Sequence, residues 1–183
     1  MQRGDLSTLT WLQGSINKNK IGKDKALSRI MYSSLNFRDV MIATGKLPIE
    51  TLELGRLQQD CVLGFEFSGI TNNNERVMGM SSYGCMASYN EHDKDLIWVC
   101  PKNWTLEQAA TVPVVYITVY MAYFLIGNIT KGKSILIHAG SGGIGIAAIR
   151  IAFAYGLDVF TTVSTETKKK FLLETFPLLK GKI

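Results

Sequence analysis

The residues with the clearest chemical meaning carry almost no side chain: Gly140-Ser141-Gly142-Gly143-Ile144-Gly145. Glycines 140, 142 and 145 satisfy G-x-G-x-x-G. In that spacing the first glycine permits a tight turn out of a strand, and the second lets backbone approach a pyrophosphate. The third lets a helix pack closely on the sheet. The amides of 142–145 would then aim their hydrogens at phosphate oxygens, assisted by the dipole of the helix that follows. The competing reading is a glycine-rich turn that serves close packing alone.

Residues further on bear on which dinucleotide such a loop would take. An NAD site places Asp or Glu at the end of the second strand, on the ribose 2′-hydroxyl. Here that end reads Thr162-Val163-Ser164-Thr165-Glu166, followed by Lys168-Lys169-Lys170. A hydroxyl with that lysine cluster can accept a 2′-phosphate dianion, so the residues favour NADP(H). Glu166 argues the other way, and a solvated lysine-rich helix face is the alternative for 168–170.

The elements that must position this loop are legible around it. Ser134–Ala139 is an apolar run suited to a strand buried on both faces. A helix over 146–155 closes at Gly156, a second buried strand covers 158–163, and a further helix opens at Thr165. Strand, glycine loop, helix and strand in that order form part of a parallel βαβ arrangement. Before it, Thr105 and Gln108 have capping-box spacing, and a stretch without charge runs from Gln108 to Thr130. That stretch could span a bilayer by length, but Pro113, Thr111, Thr118, Gly127 and Asn128 with mid-segment tyrosines favour a buried helix.

The first hundred residues read differently. Short strands are expected at 5–11, 30–35, 63–70 and 76–80, with a helical turn or two over 36–45 and a solvated basic loop over 15–24. Asn90–Asp93 reads as a polar turn. A small barrel or sandwich fits this pattern. The boundary is expected near residue 103, giving domains 1–103 and 104–183. The second is short for a dinucleotide-binding sheet, so a truncated piece of a longer chain is expected.

Composition narrows the remaining chemistry. At 183 residues, 46% hydrophobic and 19% charged, the chain can build a core, and its net charge of +5 sits largely in two short runs. A nucleic-acid footprint is usually broader. Cys61, Cys85 and Cys100 match neither a disulfide framework nor a zinc ribbon, which fits a reducing cytoplasm. No histidine or cysteine pair has ligand spacing, so no metal is expected. His138 reads as a strand-end residue, and Gly140-Ser141-Gly142 lacks the frame of a nucleophile elbow.

Taken together, HAGSGGIG (138–145), SSLNFRDVMIATGKL (33–47), LGFEFSG (63–69), RVMGM (76–80) and WTLEQAATVPVVY (104–116) resemble the enoyl reductase region of animal, type I fatty acid synthase. That region belongs to the medium-chain dehydrogenase/reductase superfamily. GDLSTLTW (4–11) and VFTTVSTETKKKFLLETFPLL (159–179) extend the likeness, and 12–29 is its poorest part. The resemblance implies an α/β chain, a GroES-like β-rich catalytic domain followed by the first part of a Rossmann doubly wound parallel sheet. It implies NADPH reducing the trans-2 double bond of an acyl chain held on an acyl carrier protein, within a multidomain and homodimeric synthase. The pyrophosphate would rest on Gly140, Ser141, Gly142, Gly143, Ile144 and Gly145. Thr118, in the Thr-x-Tyr position, would lie near the nicotinamide, with Ser164, Lys168 and Lys169 at the 2′-phosphate. Asn36 stands where zinc-dependent relatives carry a cysteine ligand and Phe65 where they carry a histidine, which points to a zinc-free branch with Asn36 facing substrate.

The proton donors implied by the resemblance are expected beyond Ile183. Arg38 and Asp39 are expected to form a structural pair with each other, and Glu66 is expected to be structural. Little turnover is expected of residues 1–183 alone. The alternatives are a non-catalytic remnant or interaction module, and a zinc-free quinone reductase-like member of the same superfamily.

Overall fold

The computed structural model describes residues 4–14, 21–48 and 62–183. Cys61 and the loop positions 15–20 lie outside the described residues. By its contacts the chain divides into two units, Met1–Val114 and Val115–Ile183.

The first unit is built on a curled, five-stranded antiparallel sheet. Its strands are β1 (Lys25–Ser33), β2 (Glu66–Thr71), β3 (Arg76–Met80), β4 (Tyr89–Asp93) and β5 (Ile97–Val99), ordered β4-β1-β2-β3-β5. The β1–β2 register shifts between Ile30 and Tyr32, a bulge that sharpens the local twist. Phe67, Val77 and Cys85 form one core cluster with Ile30 and Ile97 against it. Gly69 and Gly79 are required by close approach, because a Cβ would fall 2.2 Å from Arg29 O and 2.8 Å from Leu96 O respectively.

Two expectations for this unit are corrected. The opening residues form no strand: a 3₁₀ turn runs over Leu6–Thr8, and the Asp5 carboxylate accepts from Ser7 N at 2.9 Å. An aspartate that bonds backbone two residues ahead favours a turn over extension. Conversely, Asn90–Asp93 is no turn but most of β4, paired with Lys25–Ser28 of β1. Long-range pairing there overrides a polar local sequence.

Helix α1 (Phe37–Ala43) follows Asn36. At its C-terminal end Gly45 takes φ 69°, as the expected stop requires. Helix α2 (Leu106–Ala109) carries the expected capping box, with Gln108 N donating to Thr105 Oγ1 at 3.2 Å and Thr105 N to Gln108 Oε1 at 3.0 Å. It is held to the sheet by Ser68 Oγ donating to Leu106 O at 2.5 Å.

Helix α3 (Pro113–Tyr120) leads into a wider π turn over Met121–Ile126, which closes with Gly127 N on Ala122 O, five residues back. A Cβ at Gly127 would lie 2.6 Å from that oxygen, so only glycine fits. By length and composition alone Leu106–Ile126 could cross a membrane. It is less buried than the sequence suggested, with 28% of its most apolar window covered.

The second unit holds the parallel pair β6 (Ser134–Ile137) and β7 (Asp158–Thr161), joined through helix α4 (Gly143–Ala154). Helix α5 (Glu166–Thr175) follows. Helix α4 ends in a Schellman motif: Gly156 has φ 76°, Leu157 N donates to Ala152 O, and Gly156 N donates to Phe153 O. Ala147, Ala148, Ile149 and Ala152 pack with Ile137, Val159, Leu172 and Leu179. Both strands were expected to be buried on two faces. Only one face is: Leu136 and Phe160, alternating to the other, are 58% and 40% exposed.

Candidate nucleotide-binding site

The parallel pair delivers the glycine run to the C-terminal end of β6. There Ala139 adopts φ 55°, an uncommon conformation for a residue with a Cβ. That turn aims Ala139 O at Gly142 N, which donates to it at 3.0 Å. The loop is also tied to β7, with Gly140 N donating to Thr162 O at 3.0 Å and the Thr162 hydroxyl 3.0 Å from His138 Nδ1. His138 thus occupies the strand-end position expected of it.

The glycines separate into two kinds. At Gly140 a Cβ would fall 2.1 Å from Thr161 Oγ1, and at Gly145 it would fall 2.4 Å from Ala139 O. These two are demanded by packing within the chain. At Gly142 the nearest atom would be Ala139 O at 3.4 Å, and at Gly143 it would be Val115 Cγ1 at 3.5 Å, both ordinary contacts. Gly142 is the N-cap of α4 with φ −79° and ψ 167°, a conformation open to any residue. Nothing inside the described chain calls for glycine at 142 or 143. A methyl on Gly142 would sit at the N-cap of α4, in ordinary contact with Ala139 O.

The ladder of α4 begins with Ile146 N on Gly142 O at 2.8 Å. The amides of Gly143, Ile144 and Gly145 therefore belong to the first turn and have no intrahelical acceptor. Gly142 N, expected among the phosphate donors, is spent on Ala139 O. Ser141 is half-buried within the turn and Ile144 is 45% exposed. Thr118 is exposed on α3, one turn beyond Val115, the residue nearest Gly143.

Beyond β7, an open cleft of about 460 Å³ is lined by residues 161–166, Lys169 and Ile183. Lys168 Nζ donates to Ser164 Oγ at 3.2 Å at the mouth of α5, and Thr165 caps that helix by accepting from Lys168 N at 3.3 Å. Ser164, Lys168 and Lys169 are thus gathered at one helix N-terminus. Glu166 is the first residue of α5 and lines the same cleft. There a carboxylate complements the helix dipole, which accounts for it without a ribose.

In the first unit, Asn36 precedes α1 and is held by two carboxylates. Its backbone N donates to Asp39 Oδ2 at 2.9 Å and its Nδ2 to Glu66 Oε1 at 3.0 Å. Glu66 is 2% exposed, and its other oxygen accepts from Val114 N at 2.8 Å. Burial raises its pKa above the usual carboxylate range, partly offset by those hydrogen bonds. Glu66 was expected to be structural, and both its oxygens are engaged within the chain; sequence alone did not show its bond to Asn36. Arg38 and Asp39 do their work separately: Arg38 lies 4.3 Å over the Phe65 ring, and Asp39 Oδ1 accepts from Gly64 N at 2.8 Å. Among the described residues no group of three or more His, Cys, Asp or Glu side chains could hold a metal ion.

No protein-family profile matches the chain. It is 33% identical over 190 residues, 98% of its length, to a highly reducing polyketide synthase of Penicillium soppii, of which it spans 7%. Its fold matches the CurK enoyl reductase with a TM-score of 0.85 at 25% identity, covering 94% of this chain and 55% of that one. It also matches a quinone oxidoreductase of Thermus thermophilus, solved alone and with NADPH, with a TM-score of 0.70 at 25% identity. That match covers 85% of this chain and 50% of the oxidoreductase. The chain thus spans about half the length of these structures and a small part of the synthase. In fold this is a GroES-like unit with part of a Rossmann sheet, as in enoyl reductases of the medium-chain dehydrogenase/reductase superfamily, and its sequence is similar to polyketide synthases rather than specifically to animal fatty acid synthase.

Proposed function

We propose that the chain belongs to an NADPH-dependent enoyl reductase that reduces the trans-2 double bond of a carrier-bound acyl thioester within a multidomain synthase of polyketide type. Fatty acid synthesis is the close relative of this chemistry. The observation that carries the reading is the room for a Cβ on Gly142, the N-cap of α4, where the nearest atom would be Ala139 O at 3.4 Å. A packing turn would not need glycine there, whereas a diphosphate would.

In this reading the amides of Gly143, Ile144 and Gly145 hold the diphosphate, with Gly140 and Ser141 shaping the turn. Lys168 and Lys169, with Ser164, take the 2′-phosphate as charge-assisted donors. Thr118 borders the nicotinamide. The bound cofactor supplies the hydride, and the chain supplies binding and orientation. Asn36 offers an amide N–H to the thioester carbonyl, where negative charge grows as the double bond is reduced. Leu35 and Phe37, 70% and 78% exposed on either side of it, give an acyl chain apolar surface. The free, buried thiols of Cys85 and Cys100 suit a reducing cytoplasm.

A quinone reductase is the second reading, favoured by the Thermus thermophilus likeness. Equilibrium binding to the NADPH-loaded chain separates the two. Binding of crotonyl-pantetheine is expected. Binding of a benzoquinone alone selects the second reading, and binding of neither ligand overturns both.

A further inference from the structure

The proposed function leaves Glu66 without a task beyond the fold, yet its geometry is selective. The side chain is 2% exposed at the start of β2, and each oxygen meets a donor: Asn36 Nδ2 at 3.0 Å and Val114 N at 2.8 Å. A carboxylate held at both ends cannot turn. Asp39 fixes the backbone of Asn36 in the same way, accepting from Asn36 N at 2.9 Å while its other oxygen holds Gly64 N at 2.8 Å. Main chain and side chain of one residue are therefore clamped by two different acids.

We propose that Glu66 is a positioning residue for substrate: its doubly bonded carboxylate sets the orientation of the Asn36 carboxamide, so that the second Nδ2 hydrogen faces the thioester carbonyl. This rests on the reading of Asn36 as substrate-facing. A carboxamide carries two donor hydrogens on one nitrogen. An acceptor that takes one of them inward fixes which way the amide plane lies and where the other points. Asn36 Nδ2 and Val114 N both donate to Glu66, and the Ser34 hydroxyl bonds its carboxyl as well. A glutamine would replace one accepting oxygen with an NH2 and give up at least one of the two N–H bonds.

The test uses the Asn36 side-chain amide signal in ¹⁵N spectra of the chain, identified by its loss in Asn36→Asp. Saturating crotonyl-pantetheine is expected to move this signal in the wild type. Glu66→Gln is expected to weaken thioester binding roughly ten- to hundredfold, with NADPH affinity unchanged, which a merely structural lesion would not leave alone. The double variant Asn36→Ala/Glu66→Gln is expected to bind thioester no worse than Asn36→Ala. Additive losses, or an Asn36 signal that ignores bound thioester, overturn the proposal.

The clamp can be checked without any substrate. Glu66 shares its surroundings with Asp39, Ser34, Cys85 and the Val114 amide. Its titration, raised by burial, is expected to shift the Asn36 amide in the wild type and to leave it still in Glu66→Gln. Should that titration appear while the thioester fails to bind, the enoyl reductase reading falls and the clamp stands. Should the titration be missing, the positioning role falls whatever the ligand. If Glu66→Gln does not fold, Glu66→Asp replaces it, keeping the charge while shortening the reach; an unchanged thioester affinity there counts against the proposal.

Discussion

Ala139 O accepts a hydrogen bond from Gly142 N at 3.0 Å, and the same oxygen would stand 3.4 Å from a Cβ on Gly142 and 2.4 Å from one on Gly145. One carbonyl therefore tolerates a methyl at the first position and forbids it at the second.

Stability should follow that division. Gly142→Ala is expected to change unfolding free energy by no more than about 0.5 kcal/mol, since its backbone is extended and its contacts ordinary. Gly140→Ala and Gly145→Ala are expected to cost about 3 kcal/mol or more through overpacking. Urea unfolding of the three variants checks this. Equal losses at all three would mean the loop is merely a packing turn.

Cofactor choice should depend on the basic end of α5. Lys168→Ala and Lys169→Ala are each expected to weaken NADPH binding about tenfold and leave NADH binding nearly unchanged. Added salt should narrow the difference, because both side chains lie near solvent. A loss shared equally by the two cofactors would place the lysines elsewhere than at the 2′-phosphate.

The sheet of the first unit carries an acid-sensitive residue. His92 is 1% exposed and stacks on Phe67 with ring centroids 3.9 Å apart. Burial first, and the Lys25 charge second, push its pKa from the usual 6.5 down to about 4. The folded state thus binds this proton less readily than the unfolded chain. His92's contribution is complete above the unfolded value and is lost as pH falls from 6.5 toward about 4, a change on the order of 3 kcal/mol. Glu66, raised by burial, has the opposite sign, its contribution fading as pH rises through its folded pKa. Comparing the wild type with His92→Phe isolates the histidine: the variant should lose the acid slope in that window. An identical slope in both proteins would refute the assignment.

The thiols of Cys85 and Cys100 should be inert while the chain is folded. Cys85 is fully buried and its pKa is pushed up to about 12, mainly by burial; Cys100 is 3% exposed. Alkylation of either at mildly alkaline pH is expected only on unfolding, as mass spectrometry of labelled peptides can show. Rapid labelling of Cys85 in the native chain would contradict its place in the core.

What could be read in advance was local. The Thr105–Gln108 box and the strand, loop and helix around Gly140–Gly145 are set by short-range signals, and they stand where expected. Strand β4 was not legible, because Tyr89–Asp93 is polar and its single deeply buried residue is His92; only pairing with β1, some sixty residues away in sequence, makes it a strand. Strand β5 has three residues, too few for any periodicity. At the site, the glycine spacing gives the expectation of a phosphate loop, but the division between Gly140 and Gly145, which packing demands, and Gly142 and Gly143, which it does not, depends on the three-dimensional fold. The Glu66–Asn36 bond joins residues thirty apart in sequence, and no local pattern encodes it.

The central claim is that the space over Gly142 exists for a diphosphate. Calorimetric titration of NADPH into the wild-type chain and into Gly142→Ala, at matched stability, tests it most directly. The wild type should bind, and the alanine variant should bind roughly tenfold or more weakly with its fold intact. Equal affinities in the two proteins, or no binding to the wild type, would contradict the account.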